Sequence, residues 1–209
     1  MKTYFRPISI AIFLYVLLGS LSCGQEPAVT HRKNYVNLYI SPDYLSEPSY
    51  NSGSGKYSIQ IFGKYIQYNT PEQEALSEKY GDTNFNGFAH IFVSALSQPL
   101  VSVDVVAIDD YNETHPAGSS LNDITIFTYS TYQPFISGGY QGVESTTIVE
   151  RRLSDMPTEP LILLKEQFQF YLDQAPTTSD EHKVQVTFTF EDGKQITQTL
   201  ILSASQGNK

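Results

Sequence analysis

The stretch VQVTFTFEDGKQITQTLIL, residues 184–202, decides the fold class of this chain. Apolar and polar residues alternate on both sides of a central EDG, which predicts two half-buried strands joined by a tight turn. A two-residue loop at DG would place the apolar faces of the two strands on opposite sides of the ribbon. A three-residue loop at EDG, with its glycine in the left-handed conformation, pairs Phe188 with Ile196 and Val184 with Leu200. Only this second register buries one common face, and we therefore predict it.

Short runs rich in Val, Ile, Thr, Tyr and Phe recur upstream, separated by Gly, Pro, Asn and Asp. This composition is typical of strands joined by turns. The run LVSVDVVAI, residues 100–108, gives a clear strand prediction because its residues alternate. The face expected to be buried carries Val101, Val103, Val105 and Ala107. In another strand, predicted over residues 57–68, Gly63 indicates a bulge or bend.

One helix is predicted over residues 71–80. Thr70 can cap its start, Pro71 suits the first helical position, and Gln73 completes a capping box. Gly81 suits the position just after the helix ends. Because few of its residues are apolar, we expect this helix on the surface. The whole pattern predicts an all-β fold, an antiparallel immunoglobulin-like β-sandwich of roughly seven to nine strands with one short surface helix.

The first 23 residues have the layout of an export signal. Lys2 and Arg6 supply positive charge, and the apolar run over residues 8–21 follows. As a helix this run would be roughly 21 Å long, which is short for a bilayer core of about 30 Å. It ends at Cys23, the only cysteine of the chain. No disulfide can therefore form within this protein.

Two processing routes fit this signal. An ordinary signal peptidase could cut after the small-x-small sequence at residues 20–22 and release a secreted protein. Alternatively, LSCG at residues 21–24 resembles a bacterial lipobox, although Ser20 stands where such motifs usually have leucine. We prefer acylation of Cys23, because an exported protein has no use for a single unpaired thiol. Gly24, where sorting signals for the inner membrane have Asp, favours the outer membrane.

We therefore divide the chain into four parts. These are a signal peptide (1–22), a lipidated tether (23–34), a β-sandwich domain (35–204) and a C-terminal tail (205–209). The formal charge is −9, and loss of Lys2 and Arg6 leaves 11 basic against 22 acidic residues, a charge of −11. Such an acidic chain without a basic run is a poor candidate for binding nucleic acid or anionic membranes. The expected membrane contact is the N-terminal lipid.

Three segments carry a family resemblance: VSVDVVAIDDYN (101–112), HPAGSSLND (115–123) and FEDGK (190–194). Together with the lipobox, they resemble a family of small Bacteroidetes cell-envelope lipoproteins whose domain has no known function. The resemblance covers most of residues 35–203. It implies a lipoprotein of the cell envelope and carries no catalytic residues. With the outer membrane that Gly24 favours, either face of that membrane fits.

Two groups of residues are candidate binding sites. Asp109, Asp110 and Asn112 follow a strand and offer oxygen ligands that suit calcium, although such residues also start turns for conformational reasons. Aromatic residues among glycines could instead form an exposed platform on which sugar rings stack, with core packing as the alternative. This platform would consist of Tyr129, Tyr132, Phe135 and Tyr140.

Catalytic motifs are absent from the sequence. Neither the spacing of a zinc site nor a Gly-x-Ser-x-Gly elbow occurs. The four histidines, which we expect on the surface, are His31, His90, His115 and His182. We predict a non-enzymatic binding or structural module without a cofactor, whose partner is a glycan or an envelope protein. The alternative is an envelope hydrolase acting on glycan or peptide, centred on Asp109, Asp110 or His115.

Overall fold

The computed structural model describes residues 31–88, 92–177 and 181–203. The predicted signal peptide, Cys23, the tether up to residue 30, His90 and the tail 205–209 lie outside these described residues. Residues 31–34, which the sequence assigns to the tether, already belong to a strand and a turn. His31 pairs with Phe88, and the backbone amide of Phe85 donates to the carbonyl oxygen of Lys33.

Strands dominate the described residues, and two α-helices accompany them. The first half of the chain contains β1 (His31–Arg32), β2 (Leu38–Leu45), β3 (Ser49–Asn51), β4 (Lys56–Ile66), α1 (Pro71–Lys79), β5 (Gly87–Phe88), β6 (Ser94–Leu96) and β7 (Leu100–Ala107). The second half contains β8 (Thr125–Thr131), α2 (Gln133–Ser137), β9 (Thr147–Arg152), a 3₁₀ turn (Leu153–Asp155), β10 (Gln167–Leu172), β11 (Glu181–Phe190) and β12 (Gln195–Ser203).

The strands form a large and a small sheet, which pack face to face. The large sheet has the order β6-β2-β4-β10-β8-β9, and β3 also pairs with β4. The small sheet has the order β12-β11-β7, and β1 and β5 form a separate ribbon. Pairing is antiparallel except between β2 and β6, which are parallel. The predicted all-β sandwich with a short helix is confirmed.

The C-terminal hairpin has the predicted register. Phe188 pairs with Ile196, and Val184 pairs with Leu200. Gly193 has a φ of 82°, the left-handed conformation that a three-residue loop requires. The common apolar face of β11 and β12 is buried against the large sheet. The choice between the two loop lengths, made only by asking which one buries a single face, is therefore confirmed.

Strand β7 joins the other side of β11 and differs from the prediction at one residue. Val103, Val105 and Ala107 are buried, but Val101 is exposed. The reason is a register shift between Thr189 and Phe190, after which Phe190 pairs with Leu100. This irregularity turns Leu100 inward in place of Val101, because one extra residue reverses the alternation of faces.

The large sheet is buried on both faces at the β6-β2 end. Ile40 and Leu96 belong to the core between the two sheets, whereas their neighbours Tyr39 and Ala95 belong to a second apolar cluster. Neighbouring residues of a strand point to opposite faces, so this second cluster lies on the outer face of the sheet. Tyr80, which follows α1, and Ile136 of α2 are part of it.

Helix α1 begins as predicted, but one of its side chains has another role. The side-chain oxygen of Thr70 accepts from the backbone amide of Gln73 at 3.2 Å. The side chain of Gln73 does not complete a capping box, because its Oε1 has no hydrogen-bond partner among the described residues. Its Nε2 instead donates to the carbonyl oxygen of Val36 and to the Oγ of Ser77. Gln73 and Ser77 are fully buried. The helix lies on the surface as predicted, since most of its residues are exposed, and the buried Gln73 and Ser77 attach it to the domain.

Gly63 lies opposite a bulge, as its position in the predicted strand indicated. Pro42 pairs with Gly63 and Tyr44 pairs with Phe62, so Asp43 is the extra residue of β2. The backbone of β2 lies so close here that a Cβ atom on Gly63 would collide with the carbonyl group of Ser41. Only glycine fits this position without a shift of the backbone.

Candidate functional site

The predicted calcium ligands lie in the loop after β7, and each has a separate partner. Asp109 accepts from the backbone amide of Lys183 at 3.2 Å, and Asp110 accepts from that of Ala117 at 2.8 Å. Both carboxylates are exposed. Within the described part of the chain, no three His, Cys, Asp or Glu side chains are grouped so that they could hold a metal ion.

Asn112 is the centre of a compact turn in the same loop. Its Oδ1 accepts from the backbone amides of Thr114 at 3.0 Å and His115 at 2.9 Å. The same oxygen lies 2.8 Å from Nδ1 of His115, whose Nε2 lies 3.1 Å from a carboxylate oxygen of Asp123. Both ring nitrogens of His115 therefore have partners inside the loop, and the arrangement stabilises the turn.

The prediction of surface histidines is wrong for two of the four. His115 is buried in the turn just described, and His182 is buried at the start of β11. The ring of His182 packs edge-on against Tyr111 with 5.5 Å between centroids, and its Nδ1 lies 3.1 Å from the carbonyl oxygen of Asp110. Burial raises the pKa of the Tyr111 hydroxyl to about 12. These residues attach the loop to the sandwich.

The predicted aromatic platform is not formed. Tyr129 and Tyr132 are buried, and they belong to the two different apolar clusters. Phe135 and Tyr140 are half-buried and pack on the second cluster with 5.8 Å between their ring centroids. Burial also raises the pKa of Tyr132. These four aromatic residues contribute to two apolar clusters and therefore do not form one exposed face.

Two shallow cavities adjoin the end of β8. The larger has a volume of about 340 Å³, and we call it the cleft. It collects residues from β6, from the segment before β9 and from the segment that leads into β10. The smaller cavity, of about 190 Å³, lies beside it, and Tyr129 contributes to its wall. Sites for small molecules usually begin at about 300 Å³, so the cleft is the better candidate.

The lining of the cleft combines one exposed ring with polar groups. Phe92 lies at the edge of the cleft, and its side chain is 80% exposed. Glu166 and Lys165 lie side by side in the chain, and the Oγ of Ser94 donates to Glu166 at 3.0 Å. Further hydroxyl and amide groups come from Ser145, Thr146 and Gln167. An aromatic face with hydroxyl groups, amide groups and one charge of each sign suits a polar ligand that is uncharged or zwitterionic.

A bend at Leu163 brings the charged residues to the cleft. Leu163 has a φ of 55°, which is rare for a residue with a branched side chain. Its carbonyl oxygen accepts from the backbone amide of Tyr132 at 3.0 Å, and the amide of Lys165 donates to Ser130 at 2.9 Å. These bonds attach the segment that carries Lys165 and Glu166 to the end of β8.

Tyr35 forms part of the cleft wall and is held by a buried carboxylate. Its ring contacts Tyr132 and Phe135, with centroids 5.5 Å and 4.9 Å apart. Asp82, which is fully buried, accepts from the backbone amides of Tyr35 at 2.8 Å and Val36 at 2.7 Å. The hydroxyl of Tyr140 donates to the same carboxylate at 3.0 Å. Burial raises the pKa of Asp82, although these three donors favour its charged form.

Sequence reasoning identified Tyr132 but missed the cleft. The other residues of the cleft come from segments that are far apart in the chain and share no motif. One signal was available, since the polar run at residues 165–167 interrupts an otherwise apolar stretch between Leu161 and Phe168.

Comparisons with models of protein families, with curated proteins and with solved structures find no match to this chain. Among the described residues, the helices are too short and too polar for any of them to cross a membrane.

Proposed function

We propose that this protein is a lipoprotein of the bacterial outer membrane, anchored through acylated Cys23, and that its β-sandwich is a non-enzymatic binding module. The observation that carries the binding role is the cleft, which the exposed Phe92 lines together with Lys165 and Glu166. The resemblance to Bacteroidetes envelope lipoproteins supports the anchored location. A glycan is the favoured ligand class, because its hydroxyl groups match the polar lining and its ring faces match Phe92.

An envelope hydrolase is the alternative, and it has less support. A general acid or base must present a free group to the substrate. Both ring nitrogens of His115 already have partners within the loop, and Asp109 and Asp110 accept from backbone amides. Both aspartates are exposed, so neither lies in a pocket that would exclude water from a reaction.

The anchor is tested by replacing Cys23→Ser. We expect the wild-type protein to float with membranes and its mature N-terminus to carry acyl chains by mass spectrometry. The C23S variant should move to the soluble or uncleaved fraction, because two or three acyl chains supply the stable attachment. A wild-type N-terminus with an unmodified cysteine would contradict the lipoprotein proposal.

Binding at the cleft is tested with an array of oligosaccharides and the variants Lys165→Ala and Glu166→Ala. We expect each to weaken binding of the best oligosaccharide by roughly tenfold, which corresponds to about 1.4 kcal/mol. Glu113→Ala is the matched control, since it removes an exposed carboxylate from the loop after β7, outside the cleft. Thermal melting checks that all variants fold. Equal binding by the cleft variants and the control would contradict a ligand at this site.

A further inference from the structure

The three most exposed large apolar side chains of the described residues either line the cleft or are two residues from its lining. Val143 is fully exposed, Phe92 is 80% exposed and Ile148 is 71% exposed. Phe92 lines the cleft itself, whereas Val143 and Ile148 are each two residues from the lining pair Ser145 and Thr146. We call these three residues the rim. Exposed apolar groups that cluster in this way mark a contact surface.

The rim lies close to the point where the chain enters the domain. His31 pairs with Phe88, and Tyr35 in the cleft wall is four residues further on, within about 14 Å of His31. Cys23 is eight residues before His31, so its Cα lies within about 29 Å of it. A domain of this size is about 40 Å across. The link is therefore shorter than the domain, which excludes orientations that place β1 on the side of the domain farthest from the bilayer.

We propose that the rim inserts at the boundary between the headgroups and the acyl chains of the bilayer that holds acylated Cys23. The inference rests on the proposed anchor. Phe, Val and Ile side chains transfer favourably from water to this region, and a second membrane contact supplements the acyl chains. The mature charge of −11 opposes contact with anionic lipids, so the contact is apolar and the suitable surface is zwitterionic. The cleft then opens at the membrane surface, where Phe92, which is 80% exposed, would contact both the lipid and the ligand.

The absence of tryptophan from this chain permits a direct test. The single-tryptophan variants are Phe92→Trp and Ile148→Trp at the rim and Tyr44→Trp as the control. Tyr44 is 57% exposed, and it lies about 20 Å along β2 from Leu38, the partner of Ser94 in the cleft. Each acylated protein is reconstituted into phosphatidylcholine and phosphatidylethanolamine vesicles whose acyl chains carry bromine, which quenches tryptophan on contact.

We expect tryptophan at positions 92 and 148 to lose most of its fluorescence and shift its emission to the blue. Tryptophan at position 44 should change little and remain accessible to iodide in the water. Flotation of the vesicles separates the two proposals. Protein that floats while position 92 stays unquenched overturns insertion of the rim and leaves the anchor intact. Protein that does not float overturns the anchor, and the membrane contact with it. Equal quenching at all three positions also overturns a specific rim.

Discussion

Replacing Asp82→Ala should lower the free energy of unfolding by about 3 kcal/mol or more. The carboxylate accepts from two backbone amides and from the hydroxyl of Tyr140. Each buried donor left without a partner costs about 1 to 3 kcal/mol. Domains of this kind are stable by only about 5 to 15 kcal/mol, so much of the stability would be lost. Urea denaturation of wild type and variant measures the difference.

Asp155→Ala is the control for the loss of a carboxylate. Asp155 is exposed and accepts from the Oγ of its neighbour Ser154 at 3.2 Å. We expect this variant to stay within about 0.5 kcal/mol of the wild type. If both variants lose the same stability, the buried bonds of Asp82 do not carry the effect.

The variant Asp82→Asn tests how the free energy of unfolding depends on pH. Because burial raises the pKa of Asp82 in the folded protein, the folded state binds the proton more tightly than the unfolded state does. Stability from this group is therefore complete below the unfolded pKa of about 3.9 and is lost as the pH rises through the raised folded value. The advantage of wild type over D82N, which cannot titrate, should shrink over that range. An advantage that grows with pH would mean that the three donors lower the pKa.

Gly63→Ala should be similarly damaging, at or above the upper end of about 3 kcal/mol for overpacking. Its Cβ would lie 2.8 Å from the carbonyl carbon of Ser41 and 3.0 Å from the amide nitrogen of Asp43, besides colliding with the carbonyl oxygen of Ser41. These are backbone atoms of the bulge, which cannot move aside as the end of a side chain can. Urea denaturation measures the change.

Gly53→Ala is the matched control for the added methyl group. Its Cβ would lie 3.3 Å from the side-chain oxygen of Asn51 in an exposed turn, where the side chain can adjust. We expect a change within about 0.5 kcal/mol. A Gly63→Ala variant as stable as this control would show that the bulge yields easily.

The parts of the fold that could be predicted from the sequence are the strands with one buried face and one solvent-exposed face. Alternation in β7 and in the hairpin predicted the strands, and the need for a common buried face predicted the pairing of Phe188 with Ile196. The cap of α1 at Thr70 was equally readable, since it depends on neighbours in the chain. The bulge that turns Val101 outward could not be predicted, because it arises from pairing with a strand that is distant in the sequence.

The second apolar cluster could not be predicted from alternation. Val36, Tyr39 and Ile40 are all buried because this part of the chain is covered on more than one side. A strand buried on both faces shows no period of two, and its sequence looks like any short apolar run. The same cluster explains why Tyr132 is buried instead of exposed, and why the polar Gln73 faces inward to bond with the backbone of Val36.

The candidate site was the least accessible to sequence analysis. The cleft joins Tyr35, Phe92, Tyr132 and the pair Lys165 and Glu166, which are separated by tens of residues along the chain. No single motif contains them. The acidic loop that did form a visible cluster, with Asn112 at its centre, uses its oxygen atoms to fix its own turn. Turn-forming residues and metal ligands share the same side chains, so their spacing in the sequence separates them poorly.

The pairing of β7 with β11 has a consequence for the order of folding. Ala107 pairs with Val184 and Leu100 pairs with Phe190, which are 77 and 90 residues further along the chain. Closing such long loops is slow. In the small sheet β7 pairs with β11, so β7 lacks this partner strand until the hairpin is present. We therefore expect the sandwich to complete its fold only after residues 181–203 have been synthesised. Such an order of folding would suit the proposed anchoring at Cys23, because a chain that is exported to reach its anchor crosses the membrane before it folds.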